Sequence, residues 1–124
     1  MNPTAAPVLV TPAPVGGGAQ LLVFINFDDY AAEVAWSLTD RTTGTVIRDV
    51  PFMTYPDGQD TASEFVSVVN GGDYTFQIRD LVGDGLCCEF PGDYSVTYEG
   101  IVLASGSGNY GLDDTTDFTV PAAR

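Results

Sequence analysis

The chain of 124 residues contains no histidine and no lysine, and its only four basic residues are arginines. Without histidine, neither a Ser-His-Asp triad nor a Cys-His pair can form, and without lysine there is no Schiff-base nucleophile. A carboxylate pair such as Asp84 and Glu89 could in principle hydrolyse a glycoside, but a chain this short leaves little room for a substrate cleft. We therefore expect a protein that is not an enzyme.

Positive charge is scarce, because 17 acidic residues face four basic ones and give a formal net charge of -13. Phosphate recognition depends on Lys and Arg, so nucleic acid is not expected as a partner, and docking on anionic membranes is disfavoured for the same reason. The sequence also has no apolar run as long as a membrane-spanning helix, so we expect no membrane insertion. The charge favours cations, basic surfaces or neutral ligands, or serves only solubility.

Helical periodicity is missing too, whereas short stretches of alternating apolar and polar residues recur along the chain. Residues 34–38 and 74–78 are two clear examples, and Asn70-Gly71 and Glu99-Gly100 are typical turn pairs. This pattern predicts an all-β fold, an antiparallel, jelly-roll-like β-sandwich of about eight short strands. Five aromatic residues are expected at inward positions of its strands: Phe24, Trp36, Phe76, Tyr94 and Phe118.

The first 19 residues differ in composition from the rest, with four prolines followed by Gly16, Gly17 and Gly18. Proline forbids a helix and favours extended polyproline geometry, and consecutive glycines make a flexible joint. We therefore divide the chain into an N-terminal arm, residues 1–19, and a β-sandwich domain, residues 20–124. The arm is either a disordered linker or a segment that docks on a neighbouring subunit. It carries no recognisable secretion signal.

Acidic residues are concentrated in two segments that each follow a predicted strand. Six of them are candidate ligands of a metal ion: Asp28, Asp29, Glu33, Asp80, Asp84 and Glu89. Loops at one end of a sandwich converge, and Ca²⁺ takes about six to eight oxygen ligands of this kind. The second segment is not an EF-hand, because Val82 and Pro91 occupy two of the ligand positions. We expect bound Ca²⁺; the alternative is that these side chains cap turns and face water.

The only two cysteines, Cys87 and Cys88, are adjacent in the second acidic segment. They can form a strained disulfide between neighbours, remain as two buried thiols, or pair between chains. With no histidine and only two adjacent cysteines, a zinc site is not expected. Tyr30 and Phe90 flank the acidic segments, where an aromatic ring can stack on a sugar or contact a partner protein; the alternative is that it anchors its loop.

Several short motifs together resemble a known kind of module. They are Phe27-Asp28-Asp29-Tyr30, Gly72-Asp73-Tyr74-Thr75-Phe76, Gly83-Asp84-Gly85-Leu86-Cys87-Cys88, Gly92-Asp93-Tyr94 and Ala104-Ser105-Gly106. The chain resembles, over about residues 21–120, small β-sandwich modules of secreted and surface proteins of marine algae and bacteria. Those modules share a D-x-x-G-D-G loop followed by Cys-Cys or Trp. The resemblance implies an accessory attachment module.

Together these features predict a non-catalytic structural or attachment module in a virion or on an extracellular surface. Its expected role is that of a subunit of a larger assembly, such as a decoration protein, docked through its N-terminal arm. Its partners would then be protein subunits of the same assembly, and the protein itself would be an oligomer. The alternative is a calcium-dependent carbohydrate-binding module of a secreted protein, with a glycan as its partner.

Overall fold

The computed structural model describes residues 18–28, 30–81, 92–107 and 112–122, and this part of the chain folds as a β-sandwich. The strands are β1 Gly18–Asn26, β2 Val34–Asp40, β3 Thr45–Val50, β4 Thr61–Val69, β5 Asp73–Asp80, β6 Asp93–Tyr98, β7 Ile101–Ser107 and β8 Asp113–Thr119, with a 3-10 turn at Ala31–Glu33. The all-β prediction is confirmed. β1 begins at Gly18, so Gly18 and Ala19, assigned to the arm from composition, are its first residues; residues 1–17 lie outside the described part.

Two four-stranded sheets form the sandwich, and every described strand pair is antiparallel. Sheet A has the order β4-β1-β6-β7, and sheet B has the order β3-β2-β5-β8. If β7 and β8 are renumbered 1 and 2 and β1 to β6 become 3 to 8, the orders read 6-3-8-1 and 5-4-7-2. This is the strand order of a jelly roll with its chain ends relocated.

The two ends of the sandwich differ in their connections. The loop end contains residues 27–33 and 51–60 and the strand ends at residues 80–81, 92–93 and 112–113. The hairpin end contains the short turns 41–44, 70–72 and 99–100. Both ends of the described chain lie there, because Gly18 pairs with Val69 and the amide of Val120 donates to the carbonyl of Gly72 at 2.9 Å.

The core lies between the sheets and follows the alternation of each strand. Trp36, Phe76, Tyr94 and Phe118 are buried as predicted. The prediction for Phe24 was wrong. Leu21, Val23 and Ile25 take the inward positions of β1, so the ring of Phe24 lies on the outer face of sheet A and is only partly buried. An apolar run conceals which alternate residues face the core.

A chain of polar contacts connects the two sheets beside this core. The indole nitrogen of Trp36 donates to the hydroxyl of Tyr55 at 2.9 Å, and that hydroxyl donates to Glu64 at 2.9 Å. Glu64 also forms an ion pair with Arg48. Burial, followed by the hydrogen bond to Glu64, raises the pKa of Tyr55 to about 12, against the opposing effect of the Trp36 bond. β2, β3 and β4 are thereby joined through polar groups that satisfy one another.

Candidate functional site

Three of the predicted metal ligands lie at the loop end in the described part of the chain. Asp28 lies two residues after Asn26, the last residue of β1, Glu33 precedes β2, and Asp80 ends β5. Glu33 and Asp80 belong to neighbouring chain segments, because the amide of Leu81 donates to the carbonyl of Glu33 at 2.9 Å. The fold therefore brings the described candidates Asp28, Glu33 and Asp80 to one end of the sandwich.

Asp28 is buried, with 7% of its surface exposed, and works within its own loop. One carboxylate oxygen accepts the backbone N–H of Tyr30 at 2.8 Å. An aspartate that binds the amide two residues ahead makes an Asx turn, which fixes the path from β1 toward β2. This is the turn-capping role considered as the alternative to metal binding, and it accounts for one of the two oxygens.

Asp80 is more deeply buried, with 3% of its surface exposed, and its backbone is held on both sides. It pairs with Val34 of β2, and its amide donates to the carbonyl of Leu112 at 2.8 Å. The carboxylate therefore points inward from the last position of β5, following the alternation of Tyr74, Phe76 and Ile78. A buried carboxylate at a strand end is a rigidly placed acceptor.

The metal prediction rests partly on residues that the structure does not describe. Asp29, Asp84 and Glu89 lie outside the described ranges, as do Cys87, Cys88 and Phe90. Among the described residues, no three or more Asp, Glu, His or Cys side chains are grouped so that they could hold a metal ion. A calcium site built on Asp28, Glu33 and Asp80 alone is therefore not formed, and calcium binding stays a prediction.

Tyr30 is the described member of the two aromatic residues predicted to contact a ligand or partner. Its side chain is 52% exposed at the loop end, directly after the acidic pair of the first segment. Because its ring is half-exposed, Tyr30 contributes little to the core and can meet another molecule.

A second feature, not predicted from the sequence, is a groove on the outer face of sheet A, close to the loop end. It has a volume of about 510 Å³ and crosses β1, β6 and β7. Its lining includes Phe24, Asn26, Asp93, Ser95, Ser105 and Gly106. The parity of β1 was the signal that could have revealed it: once Leu21, Val23 and Ile25 are assigned to the core, Phe24 and Asn26 must face outward.

The floor of the groove is fixed by Tyr94, which lies at an inward position of β6. Its hydroxyl donates to the carboxylate of Asp114 on the opposite sheet. Burial, and then this hydrogen bond, raises the pKa of Tyr94 well above that of a free tyrosine. A Cβ on Gly106 would lie 2.6 Å from the Tyr94 ring. A residue larger than glycine at position 106 would therefore displace the ring.

The outer faces of the two sheets carry different charge. On the described outward positions of sheet A, which we call the neutral face, Asp93 is the only ionisable side chain. The outward positions of sheet B carry four carboxylates and one guanidinium: Asp49, Asp73, Asp113, Asp117 and Arg79. In a chain with a net charge of -13, the neutral face is the side that another surface can approach with the least repulsion.

Comparison with known proteins adds no family to this description: no family model, curated protein or solved structure matches the chain. Within the described part of the chain, no helix has the length and apolar character needed to cross a membrane. The assignment of a function therefore depends on the geometry above.

Proposed function

We propose that the protein is a non-catalytic attachment module, a subunit of a larger assembly such as a virion or an extracellular surface particle. It would dock on the other protein subunits, as a decoration protein does, through its N-terminal arm. The observation that supports the proposal is that the chain entry and the long connections lie at opposite ends of the sandwich. The chain enters the sandwich at Gly18, at the hairpin end, and the long connections lie at the opposite end. An arm tethered at one end leaves the other end exposed.

The absence of catalytic chemistry supports a binding role. The sequence offers no histidine or lysine to act as base or nucleophile. Of the described acidic residues at the loop end, Asp28 caps a turn, and Asp80 closes a strand in the buried layer. A β-sandwich with a polar end and a proline- and glycine-rich N-terminal segment is suited to holding a partner.

Rebinding to the assembly tests this function. The protein is released from the particle fraction of the cells that produce it, and the full chain or a chain beginning at Gly18 is added back. The shortened chain should fold, because every described core residue follows Gly18, and its thermal melt checks this. We expect the full chain to sediment with the particles and the shortened chain to lose most of this binding. Equal sedimentation of both, or recovery of the native protein only in the soluble fraction, would contradict the proposal.

The second candidate is a calcium-dependent carbohydrate-binding module of a secreted protein. Two buried carboxylates, Asp28 and Asp80, and the half-exposed ring of Tyr30 share the loop end, and this favours it. In this alternative, Asp29, Asp84 and Glu89 would complete a calcium site, and the loop end would bind the glycan. A glycan array probed with calcium and again with a chelator separates the candidates, since binding must appear only with calcium.

A further inference from the structure

The groove on the neutral face is formed by residues that meet across three neighbouring strands. Phe24 of β1 pairs with Ser95 of β6, which in turn pairs with Ser105 of β7. One row nearer the loop end, Asn26 pairs with Asp93. Neighbouring strands are about 4.8 Å apart, so the groove extends about 10 Å across the sheet. Its volume of about 510 Å³ lies within the ordinary range of small-ligand sites.

The lining combines three kinds of group. Phe24 supplies one aromatic ring, only partly buried, against which the C–H face of a ring can pack. The side-chain nitrogen of Asn26 donates to Asp93 at 2.7 Å, which leaves its second N–H and carbonyl, and the other carboxylate oxygen, available. Ser95 and Ser105 each add a hydroxyl that can donate or accept. A pyranose ring has this complement, an apolar face and a rim of hydroxyls.

Charge excludes other small ligands. None of the described residues that line the groove is basic, so among them phosphate, sulfate and carboxylate ligands would meet the negative charge of Asp93. A hard cation needs about six oxygen ligands, whereas the described part of the lining offers one carboxylate, Asp93, which is already hydrogen-bonded to Asn26. An uncharged ligand with many hydroxyls fits this lining best.

The site is also rigid, because its side chains stand on paired strands. A Cβ on Gly92 would lie 2.0 Å from the carbonyl oxygen of Asn26, so β6 begins in close contact with β1 directly beside the Asn26–Asp93 pair. Such fixed positions lower the entropy that binding must overcome. On the same face, Phe65 is 61% exposed but stands on the edge strand β4 outside the groove.

From this geometry we propose that the groove is a metal-independent binding site for a neutral glycan. Phe24 stacks on a sugar ring, and the Asn26–Asp93 pair with Ser95 and Ser105 binds its hydroxyls. The site contains none of the described candidate metal ligands Asp28, Glu33 and Asp80, and it does not depend on docking through the arm. An attachment module with this groove would hold an assembly to a polysaccharide.

The test is a titration followed by amide NMR in the presence of a chelator. The probes are oligosaccharides of glucose, mannose, xylose and N-acetylglucosamine, with a sulfated galactan as the charged comparison. A neutral oligosaccharide is expected to shift the amides of β1, β6 and β7 around Phe24, Ser95 and Ser105, whereas the sulfated galactan is not. A dilution series without sugar shows whether the same amides respond to self-association.

Variants with matched controls assign the site. Phe24→Ala should weaken binding by roughly tenfold or more, as removal of a central aromatic contact does, while Phe65→Ala should change it less than about twofold. Ser105→Tyr keeps β propensity and fills the groove, so it should also weaken binding; Ser67→Tyr, on the same face in β4, should not. Thermal melts of all four variants confirm that they are folded.

Three results would overturn the inference. The first is that none of the neutral oligosaccharides shifts the groove amides. The second is that binding requires calcium and shifts residues of the loop end, which would assign the glycan to the acidic segments. The third is that the groove amides respond to protein concentration alone, which would make the neutral face a contact between copies. None of these results bears on whether the arm docks the protein on its assembly.

Discussion

Gly92 shows how a single residue sets the position of a strand. It stands directly before β6, where a Cβ would lie 2.0 Å from the carbonyl oxygen of Asn26. Gly72 occupies the corresponding place before β5, where an added Cβ would lie 2.9 Å from the side chain of Tyr74 and 3.0 Å from the carbonyl oxygen of Val69. In both copies of the Gly-Asp-Tyr sequence, the glycine stands directly before a strand where a side chain would meet neighbouring atoms. The space for an added methyl group is smaller at Gly92 than at Gly72.

Gly92→Ala should lower the free energy of unfolding by about 3 kcal/mol or more, because backbone atoms of β1 must move to admit the methyl group. Gly72→Ala is the matched comparison. It should be milder, since the nearest backbone atom to the added Cβ, the carbonyl oxygen of Val69, is 3.0 Å away instead of the 2.0 Å found at Gly92. Urea denaturation measures both. A loss of less than about 1 kcal/mol for Gly92→Ala would contradict the close approach of β1 and β6.

Tyr55 makes the free energy of unfolding depend on pH in the alkaline range. Burial raises its pKa to about 12, above the value of about 10 for an unfolded tyrosine. A raised pKa means that the folded state holds the proton more tightly. The stability from this group is therefore complete below about pH 10 and is lost as the pH approaches 12.

Tyr55→Phe should flatten the fall in unfolding free energy between about pH 10 and pH 12, although the buried hydroxyl of Tyr94 keeps part of it. At neutral pH the variant should be less stable by about 1–2 kcal/mol, because Trp36 loses its acceptor and Glu64 a donor. Urea titrations across this pH range measure both effects, with Tyr30→Phe as the control at a half-exposed position. An unchanged slope would show that Tyr55 is not titrating.

At the scale of elements, β3 and β4 are edge strands of different sheets joined by side chains. Glu64 stands at an inward position of β4, where it accepts from Tyr55 and pairs with Arg48 of β3. The guanidinium also donates to the carbonyl of Phe65 at 3.3 Å. Charged groups on an edge strand discourage further strand pairing, so this ion pair both joins the sheets and protects their edge.

Glu64→Ala should destabilise the sandwich by about 1–3 kcal/mol, since a buried hydroxyl and a guanidinium lose their acceptor together. Ser63→Ala, one residue earlier on the outward side of β4, should change stability by less than about 0.5 kcal/mol. Denaturant midpoints compare the two. Equal effects would mean that the polar chain contributes nothing to joining the sheets.

The strands themselves could be predicted from the sequence, because alternation and turn residues act locally. Residues 34–38 and 74–78 show their parity openly, and both are buried on the predicted side. β1 defeats this argument, since Leu22 and Phe24 are as apolar as their inward neighbours. The packed sandwich shows which alternate set faces inward, and the groove around Phe24 follows only after that assignment.

The position of the acidic residues at one end of the sandwich is easier to predict from the sequence than whether they bind a metal ion. That two acidic segments converge is a prediction from their places after strands, and the structure places Asp28, Glu33 and Asp80 at the loop end. Whether carboxylates coordinate an ion depends on distances between side chains of different loops. Composition contains no such distances, and Asp28 shows the competing use of an acidic side chain, since it holds the amide of Tyr30.

At the scale of the whole molecule, a net charge of -13 is distributed unevenly. Sheet B and the loop end carry carboxylates, whereas the neutral face carries Asp93 alone among its described outward residues. Self-repulsion of this size keeps the protein soluble and opposes compaction where acids gather. A bound cation at the loop end would relieve that repulsion.

If calcium binds there, it should raise the melting temperature, because a ligand that binds only the folded state stabilises it. The double variant Asp80→Asn, Asp84→Asn should abolish the rise while keeping side-chain size. Asp49→Asn with Asp117→Asn, on the outer face of sheet B, removes the same charge and should keep it. Differential scanning calorimetry after chelation and calcium add-back measures the shift. If calcium does not change the melting temperature of the unaltered protein, the prediction of a calcium site is wrong.

We have proposed that the arm, which joins the sandwich at the hairpin end, attaches the module and leaves the loop end free. A photoreactive phenylalanine analogue placed at Leu9 in one preparation and at Tyr30 in another tests it most directly, by cross-linking within isolated particles. If the arm attaches the module, the analogue at Leu9 should cross-link to another protein subunit and the analogue at Tyr30 should not. Cross-links from Tyr30 with none from Leu9 would contradict it, because the loop end would then be the attached end.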